Sequence, residues 1–299
     1  MAEAIGIESL TLSNGDLRFS ARAAGTGELV LLLHGFPDTE RSFDAQLLAL
    51  AAAGYRAVAV RMRGYELTSQ PGDNDYHAVR MAEDVIGWIG QLNETRAHLV
   101  GHDWGSIIAQ VAAALSASHF ASLSMLAVPR MRPFTRLVSS DRRQAVRSLY
   151  GVFFQIPRIS NWAIRIGHFA FLEWLWRRWS PGWDAPKSML DELKATFAEP
   201  GVIHAALSYY RQNRDRRSPA GQVSAALLRQ AIRVPTLGLY GANDGCIGAD
   251  IFARSMPEQD FLAGLQLHCV PDAGHFFHLE RPALVNSILV EFLNANRSG

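Results

Sequence analysis

The chain has 299 residues, 48% of them hydrophobic, and its 29 Lys and Arg against 28 Asp and Glu give a formal net charge of +1. This length fits two small domains or one large α/β domain with an insertion, and the apolar content is ample for a sizeable core. The near-neutral charge gives no general pull toward nucleic acid or anionic membranes, and two cysteines, Cys246 and Cys269, do not make a disulfide framework. A reducing compartment is therefore expected. Residues 1–10 lack a basic stretch followed by an apolar one, and no uninterrupted apolar run approaches ~18 residues. The expected location is cytoplasmic, without stable membrane insertion. Lys187 and Lys194 are the only lysines, which leaves 27 arginines; with the alanine-rich runs, this suggests a bacterium with a GC-rich genome.

Residues 10–13 and 17–20 flank Asn14-Gly15, a hairpin signal because both turn positions need positive φ. The chain is thus expected to open antiparallel. Residues 28–33 then form a continuous apolar run ending at His34-Gly35-Phe36-Pro37, where a backbone N–H can face a reacting centre while Pro37 fixes the turn. Residues 57–60, 97–100, 123–128, 236–240 and 265–270 repeat the pattern, and helix-like stretches separate the earlier ones. Apolar runs alternating with helices predict a mostly parallel sheet buried on both faces.

The third parallel run leads into Val100-Gly101-His102-Asp103-Trp104-Gly105-Ser106, which reads as a nucleophile elbow. Small residues on either side let a strand turn sharply into a helix and hold one strained side chain at the top of the sheet, here the carboxylate of Asp103. A carboxylate nucleophile attacks carbon to make an alkyl ester, so the expected target is an epoxide or a carbon–halogen bond. The Phe36 and Trp104 amides are the candidate oxyanion hole.

Between residue 129 and about residue 234 no strand-like run is convincing. This stretch is arginine-rich and holds five of the seven tryptophans. It predicts a helical lid, residues 130–233, set into a core of 1–129 and 234–299, because an insertion after the run at 123–128 would sit above the elbow. Neither an internal repeat nor a low-complexity linker interrupts the chain, so the lid is expected to pack on the core. The stretch Trp174-Leu175-Trp176-Arg177-Arg178-Trp179 could approach a membrane, but aromatic lid residues more often line a hydrophobic substrate pocket, the reading favoured here.

Cleaving the ester requires a general base and an acid to orient it. His275, in Pro271-Asp272-Ala273-Gly274-His275-Phe276-Phe277, follows the last strand and is the expected base. Asp244, in Gly241-Ala242-Asn243-Asp244, follows the strand before it and is the expected acid. The order Asp103, Asp244, His275 is that of the α/β-hydrolase fold. Residues 127–130 offer no carboxylate for the alternative acid position, while His102, His278 and Asp272 read as neighbours that shape the loops.

The His-Gly-Phe-Pro turn, the Gly-His-Asp-Trp-Gly elbow, the late Asp244 and the Gly274-His275 loop together resemble the epoxide hydrolases of the α/β-hydrolase fold over essentially the whole chain. That resemblance implies two lid tyrosines that donate to the opening epoxide oxygen. Tyr150 stands a few residues before Phe154-Gln155-Ile156-Pro157, matching the first. Tyr210 directly precedes Arg211, matching the second in preference to Tyr209. Arg61, Glu66 and Thr68 depart from the family's usual pattern around Arg63-Gly64. Haloalkane dehalogenases share the aspartate, histidine and acid, but Phe36 has no side-chain N–H for a halide and two tyrosines would be surplus. Fluoroacetate dehalogenases usually place arginine where Trp104 stands. A binding protein without turnover would need none of this geometry. The expected partners are a small hydrophobic epoxide and water, with no nucleic acid, cofactor or metal; oligomeric state is left open.

Overall fold

The structure is a computed structural model and describes residues 6–297. Residues 1–5, part of the stretch read above for a leader, and 298–299 lie outside the described residues. Eight strands make one sheet: β1 (Glu8–Asn14), β2 (Leu17–Ala24), β3 (Glu28–Leu33), β4 (Tyr55–Val60), β5 (Ala97–His102), β6 (Phe120–Leu126), β7 (Thr236–Gly241) and β8 (Leu265–Val270). Their order is β1-β2-β4-β3-β5-β6-β7-β8, antiparallel at the β1–β2 and β2–β4 pairs and parallel elsewhere. This is the mostly parallel, helix-flanked architecture expected of an α/β-hydrolase.

The continuous apolar runs follow from burial on both faces. Side chains alternate across a strand, so Leu31, Val58, Leu99 and Met125 enter one hydrophobic cluster while Val30, Ala57, Val100 and Leu126 enter the other. Helices α1 (Asp44–Ala52), α2 (Ala78–Gln91) and α3 (Trp104–Leu115) cover the sheet, and α3 is buried through Ala113 because it is apolar nearly all round.

Two boundaries differ from expectation. The hairpin pairs Asn14 with Leu17, so its central residues are Gly15 and Asp16, and only Gly15 takes positive φ, at 56°. Asn14 stays in β1, where its Nδ2 donates to Asp84 Oδ1 at 2.7 Å. That buried partner shifts the turn by one residue. β6 stops at Leu126, not residue 128, because Ala127 turns to φ 64°.

Seven helical segments lie between β6 and β7: α4 (Met131–Ser140), α5 (Arg142–Arg147), α6 (Leu149–Phe153), α7 (Pro157–Trp179), α8 (Lys187–Ala198), α9 (Val202–Gln212) and α10 (Pro219–Leu227), of which α7 is broken into two helices by non-helical backbone at Ile166, Gly167, His168 and Phe169. They are bonded to the core at several points. Trp176 Nε1 donates to Pro37 O at 2.7 Å, Tyr209 Oη to Arg63 O at 2.6 Å and Gln70 Nε2 to Pro200 O at 2.7 Å. After β7 come α11 (Ala249–Arg254), α12 (Phe277–Glu280) and α13 (Pro282–Ala295). Among the described residues no helix is long and apolar enough to cross a membrane.

Candidate active site

β5 runs into α3 through a single residue, Asp103, held at φ 51° and ψ −116°. A non-glycine residue in this region costs about 1–3 kcal/mol, which the surrounding packing must offset. The close approach depends on two glycines: a Cβ at Gly101 would strike the Gly105 carbonyl, and one at Gly105 the Leu33 carbonyl. The result is a carboxylate, 3% exposed, at the carboxyl end of the sheet. The Phe36 N–H donates to Asp103 Oδ1 at 2.8 Å. The Trp104 N–H opens α3, where the first amides have no partner within the helix.

The loops after β7 and β8 bring Asp244 and His275 to the same place. Asp244 Oδ1 accepts from the Cys246 and Ile247 amides at 2.6 and 2.9 Å, which leaves Oδ2 to accept from His275 Nδ1 at 2.9 Å. This fixes the imidazole tautomer and directs Nε2 toward Asp103 Oδ2, 3.6 Å away. Burial works against the charged ring, but the Asp244 and Asp103 carboxylates outweigh it and push His275 up to about 10. The Trp179 carbonyl accepts the His275 N–H at 3.0 Å, and its indole packs edge-on to the imidazole at 5.1 Å between centroids.

Across the cleft, Tyr150 and Tyr210 approach each other with ring centroids 5.9 Å apart. Tyr210 packs edge-on to Phe36 and Trp104, and its buried hydroxyl has no well-formed hydrogen bond among the described residues. The Tyr150 hydroxyl lies 3.3 Å from Cys246 Sγ. Burial, followed by Cys246 for Tyr150 and by Asp103 for Tyr210, raises both phenols well above the ordinary tyrosine range. Both stay protonated at neutral pH. Tyr209, the neighbour that sequence reasoning passed over, instead donates to the Arg63 carbonyl. Asp103, Trp104, Tyr150 and Tyr210 share a cavity of about 540 Å³.

Sequence reasoning missed several residues that hold these groups. Cys246, two positions beyond Asp244, contacts Tyr150, and Gln144 donates to the Cys246 carbonyl at 2.9 Å. His34 accepts from the Met62 N–H at Nε2, 3.0 Å, and burial lowers it to about 4, so it braces the loop as a neutral ring. Glu280 accepts from the Gly274 N–H at 2.9 Å and from Ser180 Oγ, steadying the His275 loop. The signal for Cys246, Gln144 and Glu280 is tertiary and absent from local spacing, whereas His34 opens the His-Gly-Phe-Pro turn read in the sequence and only its contact with Met62 was missed.

The departures at Arg61, Glu66 and Thr68 have partners outside the cleft. Arg61 pairs with Glu40, Glu66 accepts from Ser20, and Thr68 donates to the Arg18 carbonyl. The tryptophan stretch does not line the cavity, contrary to expectation. Trp176 stacks on Phe276 at 4.4 Å, Trp179 covers His275, and Trp174 is 51% exposed against Phe171. Trp176 and Trp179 thus pack on the loop that carries His275, and Trp174 does not.

His102 donates from Nε2 to the His275 carbonyl at 3.0 Å, and Asp272 lies in an exposed turn at φ 49°. Behind the elbow, His102 Nδ1 and His278 Nε2 stand 3.9 and 4.0 Å from Asp38 Oδ2. Ligands about 2.0–2.1 Å from a tetrahedral zinc would lie nearer about 3.4 Å from one another, so this spacing is wider than that of a tetrahedral zinc site. Burial pushes Asp38 up to about 8.

A family profile described as "Alpha/beta hydrolase family" matches residues 30–288. The chain is 26% identical to the AB hydrolase superfamily protein YfhM of Bacillus subtilis, covering 96% of this chain and 98% of that one. It is 30% identical to Epoxide hydrolase A of Mycobacterium tuberculosis, covering 96% and 97%. Among solved structures, an epoxide hydrolase from an endophytic Streptomyces superposes with a TM-score of 0.79 at 28% identity, over 97% of this chain and 96% of that one.

Proposed function

This chain belongs to the alpha/beta hydrolase family and, within it, to the epoxide hydrolases, and from that premise we propose that it is an enzyme hydrolysing an epoxide to a vicinal diol through an ester on Asp103. The observation that carries the mechanism is the division of labour between the two oxygens of Asp103. Oδ1 already accepts the Phe36 N–H, while Oδ2 faces His275 Nε2. Oδ2 attacks an epoxide carbon, the C–O bond breaks on the far side, and the oxygen takes a proton from Tyr150 or Tyr210. The helical insertion, residues 130–233, acts as the lid that supplies both tyrosines.

Alkylation removes the Asp103 charge, and with it two of the influences that hold His275 protonated. The imidazole releases its proton, which makes good the one the phenol gave to the epoxide oxygen, and becomes able to take one from water, which adds to the Asp103 carbonyl carbon. The resulting oxyanion sits against the Phe36 and Trp104 amides. Collapse breaks the acyl C–Oδ2 bond, the leaving Oδ2 takes the proton that His275 drew from water, and the diol departs with the original Oδ2 while Asp103 keeps the oxygen from water. One turnover in heavy-oxygen water should therefore label Asp103, and the first diol should carry an enzyme oxygen. Label passing straight into the diol with none in the protein would defeat the covalent mechanism.

The same coupling sets a pH dependence. His275 should titrate at about 10 in the resting enzyme. Ester decay, which needs the neutral ring, should rise with pH about a midpoint displaced below that value. Comparing imidazole titration by NMR with single-turnover decay rates checks this; coincident midpoints would mean that the Asp103 charge does not hold His275 protonated.

A further inference from the structure

The cavity that reaches Asp103 has two ends of opposite character. Its inner wall is apolar, made by Ile107, Val128, Met131, Phe134, Val138 and Leu228. Its outer lining includes four arginines from three separate places: Arg132 on α4, Arg214 and Arg216 just beyond α9, and Arg229 just beyond α10. All four are exposed, and none has a side-chain hydrogen bond or ion pair among the described residues. Nearby acids are already engaged: Asp215 pairs with Arg217, and Asp260 with Arg130. Among the described residues, the only carboxylate lining the cavity is Asp103, buried at the other end.

Four like charges gathered around one opening repel one another, and nothing in the fold repays that. A ligand anion would. Guanidinium groups match carboxylates through paired N–H donors, and exposed cations at a cavity mouth also draw anions toward it. The apolar wall rejects a buried charge, because a carboxylate moved past the rim would lose its water without gaining a partner. Its volume of about 540 Å³ is of the size that encloses a drug-sized molecule.

Resting on the epoxide reading above, we propose that the preferred substrate is an amphipathic epoxide with a carboxylate remote from the ring: the ring at Asp103, an apolar chain along the wall, and the carboxylate at Arg132, Arg214, Arg216 and Arg229. The arginines set specificity and take no part in bond making. The anion fixes which end of the substrate enters first, so it also orients the ring toward Asp103 Oδ2.

The test compares ω-epoxyundecanoic acid, its methyl ester and the ω-epoxy alkylamine at neutral pH and low salt. The acid should exceed the ester in kcat/KM by about tenfold, mostly through KM, since exposed ion pairs contribute roughly two- to fivefold apiece. The advantage should shrink as salt rises. In the variant Arg132→Gln/Arg214→Gln/Arg216→Gln/Arg229→Gln the acid-to-ester ratio should fall to about one. Reversal by Arg132→Glu/Arg214→Glu/Arg216→Glu/Arg229→Glu, which turns four positive charges into four negative ones, should turn the preference toward the amine, a gain that misfolding cannot produce. Opening of acid and ester at equal efficiency by the parent would overturn the proposal and leave the epoxide reading intact. Failure to open any of the three, in single turnover as well as steady state, would count against the epoxide reading itself.

Discussion

His275→Gln should stop turnover while leaving the first chemical step in place, so that the protein accumulates as an ester of its substrate. Attack by Asp103 Oδ2 uses no proton from His275, whereas hydrolysis needs the ring as base. Loss of a general base typically costs about 10² to 10⁴ in rate, enough for the intermediate to persist. The mass of the protein should rise by that of one epoxide. Glutamine is polar, so it keeps a donor near Asp244, and a thermal melt alongside the mass measurement separates a folded, trapped enzyme from a damaged one. A folded variant that binds no epoxide and gains no mass would show that His275 organises the cleft without acting as the base.

Replacing both tyrosines, Tyr150→Phe/Tyr210→Phe, should slow alkylation by epoxides by ~10² to 10⁴, the range for a lost general acid. Ring volume is retained, so the edge-on contacts of Tyr210 with Phe36 and Trp104 survive. Melting should change little, since the Tyr210 hydroxyl has no well-formed partner to lose and the Tyr150 hydroxyl loses only its 3.3 Å contact with Cys246 Sγ. Each single variant should cost less, because the other phenol can still meet the opening oxygen. A departing halide needs hydrogen-bond donors but no proton, so this variant also separates two chemistries. If it opens styrene-type epoxides at the parent rate, or if the parent releases halide from primary haloalkanes faster than it opens any epoxide, the tyrosines are not the proton donors.

The central parallel strands were legible because strands buried on both faces are apolar nearly throughout, and Glu28–Leu33 appears at its expected bounds; Leu265–Val270 also does, although it is an edge strand exposed from Gln266 to Cys269. The elbow was legible because its steric demands fall within a few residues of Asp103. Asp244 and His275 could be located because strand ends mark where a side chain reaches the carboxyl edge of the sheet. The hairpin turn was displaced because Asp84, seventy residues away, claims Asn14. The role of Cys246 beside Tyr150, the packing of Trp176 and Trp179 on the His275 loop, and the meeting of Arg132 with Arg214, Arg216 and Arg229 all depend on how distant helices fold back. No local periodicity encodes them.

The bond from the Trp176 indole to the Pro37 carbonyl joins an inserted helix to the loop whose neighbouring amide faces Asp103. The insertion and the core are thus not interchangeable modules. A chimera that imports helices from a relative to change the pocket also imports a different anchor for residue 37, and with it a different aim for the Phe36 N–H. Helices and loop must be inherited, or redesigned, as one unit.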